Sequence, residues 1–193
     1  MGLEVFMKFL CLLLPLSFAA CTTTDYMRDA QPTSPPCPDQ AKVVVYRTAA
    51  FGGADNYPVY DDAGNLLGFT ETDCYFEILR PPGHHRIAAL GEGEAVVDAE
   101  LAGGRTYYVQ ASSKFGLVTS RPVLTPVNRD SREFAEIEGI LPKLRCRELD
   151  PAQAAEVEAR KERRAKEAIA EEKKPRVLKP DDGRGEAQTP PAK

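Results

Sequence analysis

"EAVVDAELAGGRTYYVQAS", residues 94–112, carries the pattern that decides the fold. Ala95, Val97, Ala99 and Leu101 alternate with Val96, Asp98 and Glu100, so an extended chain puts one set on an apolar face and the other on a face that becomes charged. Gly103-Gly104 interrupts the run, and "TYYVQAS" resumes it. That is the signature of strand, turn, strand.

The same grammar extends outward in both directions. "CYFEILRPPGHHRIAAL" (74–90) repeats the hairpin pattern around Pro81-Pro82-Gly83. "YPVYDDAGNLLGF" (57–69) sets two short apolar runs around Asp61-Asp62-Ala63-Gly64-Asn65, a hairpin loop in which Gly64 can take a positive φ. "AKVVVYRT" (41–48) is rich in β-branched and aromatic residues, as strands are. "LVTSRPVLTPV" (117–127) is a further strand that Pro122 confines to a sheet edge. Short strands punctuated this often by Gly and Pro predict a mainly β domain, a small antiparallel β-sandwich or barrel. Val43, Val45, Phe76, Ile78, Ile87, Val97, Leu101, Tyr107 and Val109 are its expected core.

One short helix should pack on that domain. In "NRDSREFAEIEGIL" (128–141), Asp130 and Glu133 form a capping box, and Phe134, Ile137 and Leu141 share a face. "DPAQAAEVEARKERRAKEAIAEEKK" (150–174) predicts an extended charged C-terminal helix. Asp150 caps it, Pro151 takes its first position, Gln153 completes a capping box, and Glu156/Arg160 and Glu162/Lys166 pair along it until Pro175 stops it. Its apolar stripe (Ala154, Val157, Ala165, Ala168, Ile169) is thin, so much of it is expected in solvent. The expected organisation is a signal peptide at 1–20, a flexible tether at 21–40, the β-sandwich domain at 41–149, the charged helix at 150–174 and a disordered tail at 175–193.

The start of the chain carries the functional information. Residues 9–20 are apolar or proline except Ser17. Twelve helical residues rise about 18 Å, too short for a hydrocarbon core of about 30 Å. With Lys8 ahead and Ala19-Ala20 behind, the stretch reads as a cleavable signal. Phe18-Ala19-Ala20-Cys21 resembles the bacterial lipobox, with Phe18 standing where Leu is usual. That resemblance implies diacylglycerol on the Cys21 thiol and cleavage just before it. Glu4 is out of place in a signal, and a start at Met7 removes it; both starts stay open. By analogy with the diderm sorting pattern, Thr22 in place of Asp points to an outer-membrane anchor facing the periplasm.

"VVVYR", "PVYDDAGNLLGFTETDCYFEILRPPGHH" and "LAGGRTYYVQ" together resemble the bacterial family known as domain of unknown function 2846, over about residues 41–140. Tyr46-Arg47, Pro82-Gly83 and Gly104 to Tyr108 carry the likeness most specifically. What it implies is a small β-domain in a lipoprotein setting, with no catalytic residues to transfer.

Little else points to chemistry. A net charge of −4 disfavours nucleic acid as a partner. His84 and His85, adjacent on a strand, point to opposite faces and cannot easily share a metal ion, and no zinc-type spacing accompanies them. Ser112, Ser113 and Ser120 lie in no nucleophile motif. Asp61, Asp62, Glu92 and Glu94 read as solvated turn acids. No catalytic residue, metal ligand or cofactor is assigned.

Of five cysteines, Cys37, Cys74 and Cys146 remain once the signal is removed and Cys21 is acylated, in a compartment that permits disulfides. Cys37 and Cys146 flank the domain and are the expected pair. Arg47 and the doublet Tyr107-Tyr108 are the candidate recognition residues: an outward ring beside a guanidinium could stack on a sugar or hold a carboxylate, and an edge salt bridge with a packed ring is the plainer alternative. The sequence therefore reads as a non-enzymatic envelope lipoprotein. It is anchored to the membrane through Cys21, with an envelope protein or glycan as partner. A small envelope hydrolase acting on cell wall or glycan is the alternative.

Overall fold

A computed structural model describes residues 26–48, 55–117, 120–172 and 174–185, with the side chains of 153 and 155–162 outside that set. The described chain is mainly β. Its strands are β1 (Met27–Asp29), β2 (Ala41–Arg47), β3 (Pro58–Asp61), β4 (Leu66–Phe69), β5 (Cys74–Arg80), β6 (Gly83–Leu90), β7 (Glu94–Leu101), β8 (Thr106–Phe115), β9 (Ser120–Pro126), β10 (Arg145–Leu149) and β11 (Arg176–Leu178). Two helices accompany them, α1 (Arg132–Ile140) and α2 (Pro151–Glu171).

The strands form two sheets, β1-β10-β5-β2-β8-β9 and β11-β7-β6-β3-β4. Their inner faces share one core, which contains all nine residues expected there. A second cluster, with Val44, Tyr46, Tyr75 and Tyr108, covers the outer face of the first sheet and is capped by Ile137 and Phe134 of α1. A third joins Ala88 and Val96 of the second sheet to Ile169 of α2. Both faces of the central strand β2 are covered, so all seven of its residues are buried.

The hairpin expected at 57–69 forms between β3 and β4, with Gly64 at φ 85°. The turns at Pro81–Gly83 and Gly103-Gly104 are different. Each carries the chain from one sheet to the other, because β5 and β8 belong to the first sheet and β6 and β7 to the second. The tight hairpin is β6–β7, and the chain then returns with β8 parallel to β2. With β10 parallel to β5 and β11 parallel to β7, the sheets are mixed where antiparallel ones were expected. A strand that re-enters a sheet after a hairpin in the facing layer arrives in the direction the crossovers dictate, which no local pattern encodes.

The expected tether does not extend through 40. From Tyr26 the segment is held against the domain although most of it is exposed: Met27 is buried, β1 pairs with β10, and Thr33 donates to Glu77 through its backbone N at 2.8 Å. Lys42 Nζ donates to the Thr33 carbonyl at 2.7 Å and lies 3.3 Å from Glu77. Lys42 is a buried charge and Glu77 a largely buried one on the same covered face, and both need such partners. The tail is also shorter than expected. β11 extends the exposed edge of β7, Leu178 is fully buried, and Arg184 donates to the Phe134 carbonyl at 3.0 Å. An unpaired sheet edge is a ready acceptor for an added strand.

Ser131, one residue later than expected, caps α1 by accepting from Phe134 N. Asp150 caps α2 with Pro151 in the first turn, as the sequence indicates. The pairs expected among 153–162 lie outside the described side chains. The described part of α2 does not extend into solvent as a free arm: Ala154, Ala165, Ala168 and Ile169 are buried, and the Ile169 carbonyl accepts from Arg86 at 2.6 Å. Small alanines let the helix backbone approach the sheet closely, so a thin stripe suffices. Among the described residues no helix is long and apolar enough to cross a membrane.

Candidate functional site

The strand directions gather the polar chemistry at one end of the two-sheet core, where β2 finishes and β8 runs on toward its hairpin with β9. Arg47, the last residue of β2, continues the inward register of Val43 and Val45 and is only 2% exposed. Its guanidinium donates to the carbonyls of Asp55 and Thr70, the latter at 3.0 Å, and to Ser113 Oγ at 2.8 Å. The Tyr57 ring lies 5.6 Å below it. Tyr57 Oη donates to Ser113 at 3.1 Å and is also in contact with Ser120 Oγ, which donates to Asp55 Oδ2. Thr70 Oγ1 closes the cluster by accepting from Tyr57 N at 3.2 Å.

This constellation ties together β2, β3, β8, β9 and the segment after β4. Burial lowers the proton affinity of the Arg47 guanidinium from its ordinary value, and Tyr57 and Asp55 oppose that shift. A buried cation is tolerated only when fully bonded, which explains why its donors meet backbone carbonyls and a hydroxyl.

The tyrosine doublet behaves otherwise than expected. Neither ring faces outward. Tyr107 is in the inner core; its hydroxyl accepts from Ala102 N at 2.8 Å and donates to the Pro180 carbonyl at 2.9 Å. Tyr108 lies under α1 and packs edge-on against Phe134, with ring centroids 6.1 Å apart. Alternation does send the two rings to opposite faces, but both faces of β8 are covered. Neither ring is beside Arg47 to form a stacking platform.

The expected Cys37–Cys146 disulfide is absent; Cys37, Cys74 and Cys146 are free thiols. The register supplies the reason. Cys37 sits beside the start of β2, where its carbonyl accepts from Gln40 N, whereas Cys146 is level with Tyr75, opposite Tyr46 near the other end. Residues 41 to 46 span about 17 Å of strand, while a bridge needs Cα atoms within about 7 Å. Cys74 and Cys146 lie on adjacent strands, one register step apart, and so face opposite sides of the sheet. Cys21 lies outside the described residues.

His84 bonds Asp98, and His85 shares a 2.9 Å hydrogen bond with the Pro81 carbonyl. Among the described residues no three metal-ligating side chains converge. Asp61 is not a solvated turn acid: it is buried, accepts from Asn65 N at 2.8 Å and pairs with Arg80 at 2.9 Å. Ser113 and Ser120, which no motif marks, both belong to the Arg47 cluster, as do Asp55, Tyr57 and Thr70. The one sequence signal for it is an arginine ending an otherwise apolar strand. Its partners come from loops whose approach depends on the packing of the two sheets.

No family model, curated protein or solved structure matches the chain.

Proposed function

We propose that this chain is a lipoprotein of a bacterial cell envelope, held by lipid on Cys21, whose two-sheet domain serves as a non-enzymatic binding or interaction module facing the periplasm. The observation that carries this reading is the placement of Phe18-Ala19-Ala20-Cys21 five residues before Tyr26, where the chain joins the packed domain. Because the guanidinium of Arg47 is turned inward onto two carbonyls and a serine hydroxyl, it serves as an internal tie, and the partner surface of this reading lies elsewhere on the domain. An envelope protein or glycan is the partner this reading assigns. The exposed Arg163, Arg164, Lys166 and Glu167 of α2, which packs along the second sheet, give the domain one charged surface in this reading.

Intact mass of the membrane-purified protein tests the anchor. A chain beginning at Cys21 and carrying two or three acyl groups is expected, and Cys21→Ser should abolish both the added mass and retention in the membrane fraction. Two or three acyl chains hold a protein in a bilayer where one does so only marginally. A chain that begins elsewhere without lipid rejects the reading.

One contact favours the hydrolase alternative. Ser120 Oγ donates to the Asp55 carboxylate beside Tyr57, an arrangement that could draw a proton from a serine nucleophile. Labelling of Ser120 by a fluorophosphonate, lost in Asp55→Asn, would establish it; a chain that stays unlabelled supports the binding module.

A further inference from the structure

On the outer face of the first sheet, Tyr75, Tyr46, Gln110 and Thr125 stand in one row, level with each other on β5, β2, β8 and β9. α1 covers the tyrosine end of that row, where Tyr46 and Tyr75 share a cluster with Ile137. At the β9 end, beside the start of α1, lies a recess of about 200 Å³. Gln110, Thr125, Asn128, Ser131 and Glu133 give it hydrogen-bonding groups, and Pro126 and Val127 give it apolar surface. Thr125, Asn128 and Glu133 are exposed, so the recess opens to solvent.

Most of its polar groups are unengaged. Among the described residues, the side chains of Gln110, Asn128 and Glu133 make no hydrogen bond. Glu133 is left over because Ser131, not Asp130, caps α1, which puts Phe134 at the third helical position. The Ser131 hydroxyl accepts from Phe134 N at 3.1 Å, and Thr125 Oγ1 accepts from Arg176, so each keeps its own proton to donate.

These residues select a ligand by its chemistry. They include one carboxylate and no cation, so a phosphate or carboxylate ligand would meet Glu133 unfavourably. What matches them is a ring that carries several hydroxyls, each both donor and acceptor, on a C–H framework. A carboxylate accepts from two adjacent hydroxyls, and the two carboxamides supply donors and acceptors together. Sites for drug-sized ligands occupy about 300 to 1,000 Å³, and this smaller recess suits a single ring.

We propose that the recess between β8, β9 and the start of α1 binds one neutral pyranose residue of a glycan, with Glu133, Gln110 and Asn128 on its hydroxyls and Pro126 and Val127 against its C–H surface. This rests on the binding-module reading and selects the glycan from the two partners named there.

The membrane-purified full chain, labelled with ¹⁵N and held in detergent, is titrated with the methyl glycosides of glucose, galactose, mannose and N-acetylglucosamine. Saturable shifts of the Gln110 and Asn128 side-chain amides with at least one glycoside are the expected result. Glu133→Ala should weaken that affinity about tenfold or more, and Asn128→Ala about threefold to tenfold, from the hydrogen bonds withdrawn. Gly139→Ala, further along α1, should leave it unchanged. Urea midpoints of the variants separate lost binding from lost folding. No saturable shift with any of the four, on protein whose mass shows lipid on Cys21, overturns the inference and leaves the lipoprotein reading standing. Shifts given instead by a blocked trialanine peptide also overturn it and make a protein the partner. Shifts with a glycoside on a chain without lipid uphold the recess and overturn the anchor alone, and a chain with neither overturns both.

Discussion

Arg47 Nη2 donates to Ser113 Oγ at 2.8 Å, joining the end of β2 to β8 at the point where β8 leaves the core for its hairpin. Two strands that already share a ladder gain a side-chain tie at their open end. The same guanidinium reaches backbone carbonyls of the segments leading into β3 and out of β4. One residue therefore sets the geometry of that end of the molecule.

Arg47→Ala should be among the most damaging single changes in the domain. It leaves two buried carbonyls without their donor and opens a cavity, at a cost of about 3 to 5 kcal/mol. Arg47→Lys should recover only part of this, because a single ammonium cannot reproduce the fork. Ser113→Ala removes one acceptor and should cost about 1 kcal/mol. Urea midpoints of the three variants check the order; equal, small losses would mean that the cluster is incidental.

Tyr46 offers the opposite case. It is buried among Val44, Tyr75 and Ile137, and among the described residues its hydroxyl has no hydrogen-bond partner. Tyr46→Phe should therefore leave stability at pH 7 unchanged or raise it by up to about 1 kcal/mol.

The same residue ties stability to alkaline pH. Burial, with Glu133 adding to it, pushes the Tyr46 phenol from 10.0 up to about 12. The neutral form is favoured in the folded state, so this contribution is complete below pH 10 and is lost as pH rises from 10 through 12. Burial raises Tyr75, Tyr107 and Tyr108 in the same direction. Thermal melts between pH 8 and 12 should show a steep fall above pH 10 that is shallower in Tyr46→Phe.

Two glycines should respond in opposite senses to one methyl group. A Cβ at Gly103 would lie 1.8 Å from the Pro38 carbonyl oxygen, so Gly103→Ala must push the 37–40 segment off the crossover turn and should cost about 1 to 3 kcal/mol. At Gly139, within α1, a Cβ meets nothing within 4 Å, and Gly139→Ala should stabilise by about 0.5 to 1 kcal/mol. Chemical denaturation of the pair tests both signs.

Free thiols of unequal access should be evident in solution. Cys37 is exposed and should react with maleimide in the folded protein, whereas Cys74 is buried, with its thiol pKa raised by that burial, and should react only on unfolding. Cys146, half-buried and hydrogen-bonded to Tyr75, should fall between them. Mass mapping after timed labelling measures the order, and a Cys37–Cys146 linked peptide would contradict it.

Read alone, the chain determined strands β2 to β9, their inward faces, the β3–β4 turn and the capped start of α2, but not β1, β10 or β11. Those features depend on side-chain alternation and on the backbone preferences of Gly, Pro and Asp, which act over a few residues. Tertiary structure alone decided that the turns after β5 and β7 cross between layers, that β2 and β8 run parallel, and that both tyrosines of the doublet are covered. It also decided that 26–40 and 176–185 belong to the packed domain. The cluster of Arg47, Asp55, Tyr57, Ser113 and Ser120 is of the same kind. Its members are up to 73 positions apart in sequence, and only the facing of two sheets brings their polar groups within hydrogen-bond reach, at a distance where burial makes each bond compulsory.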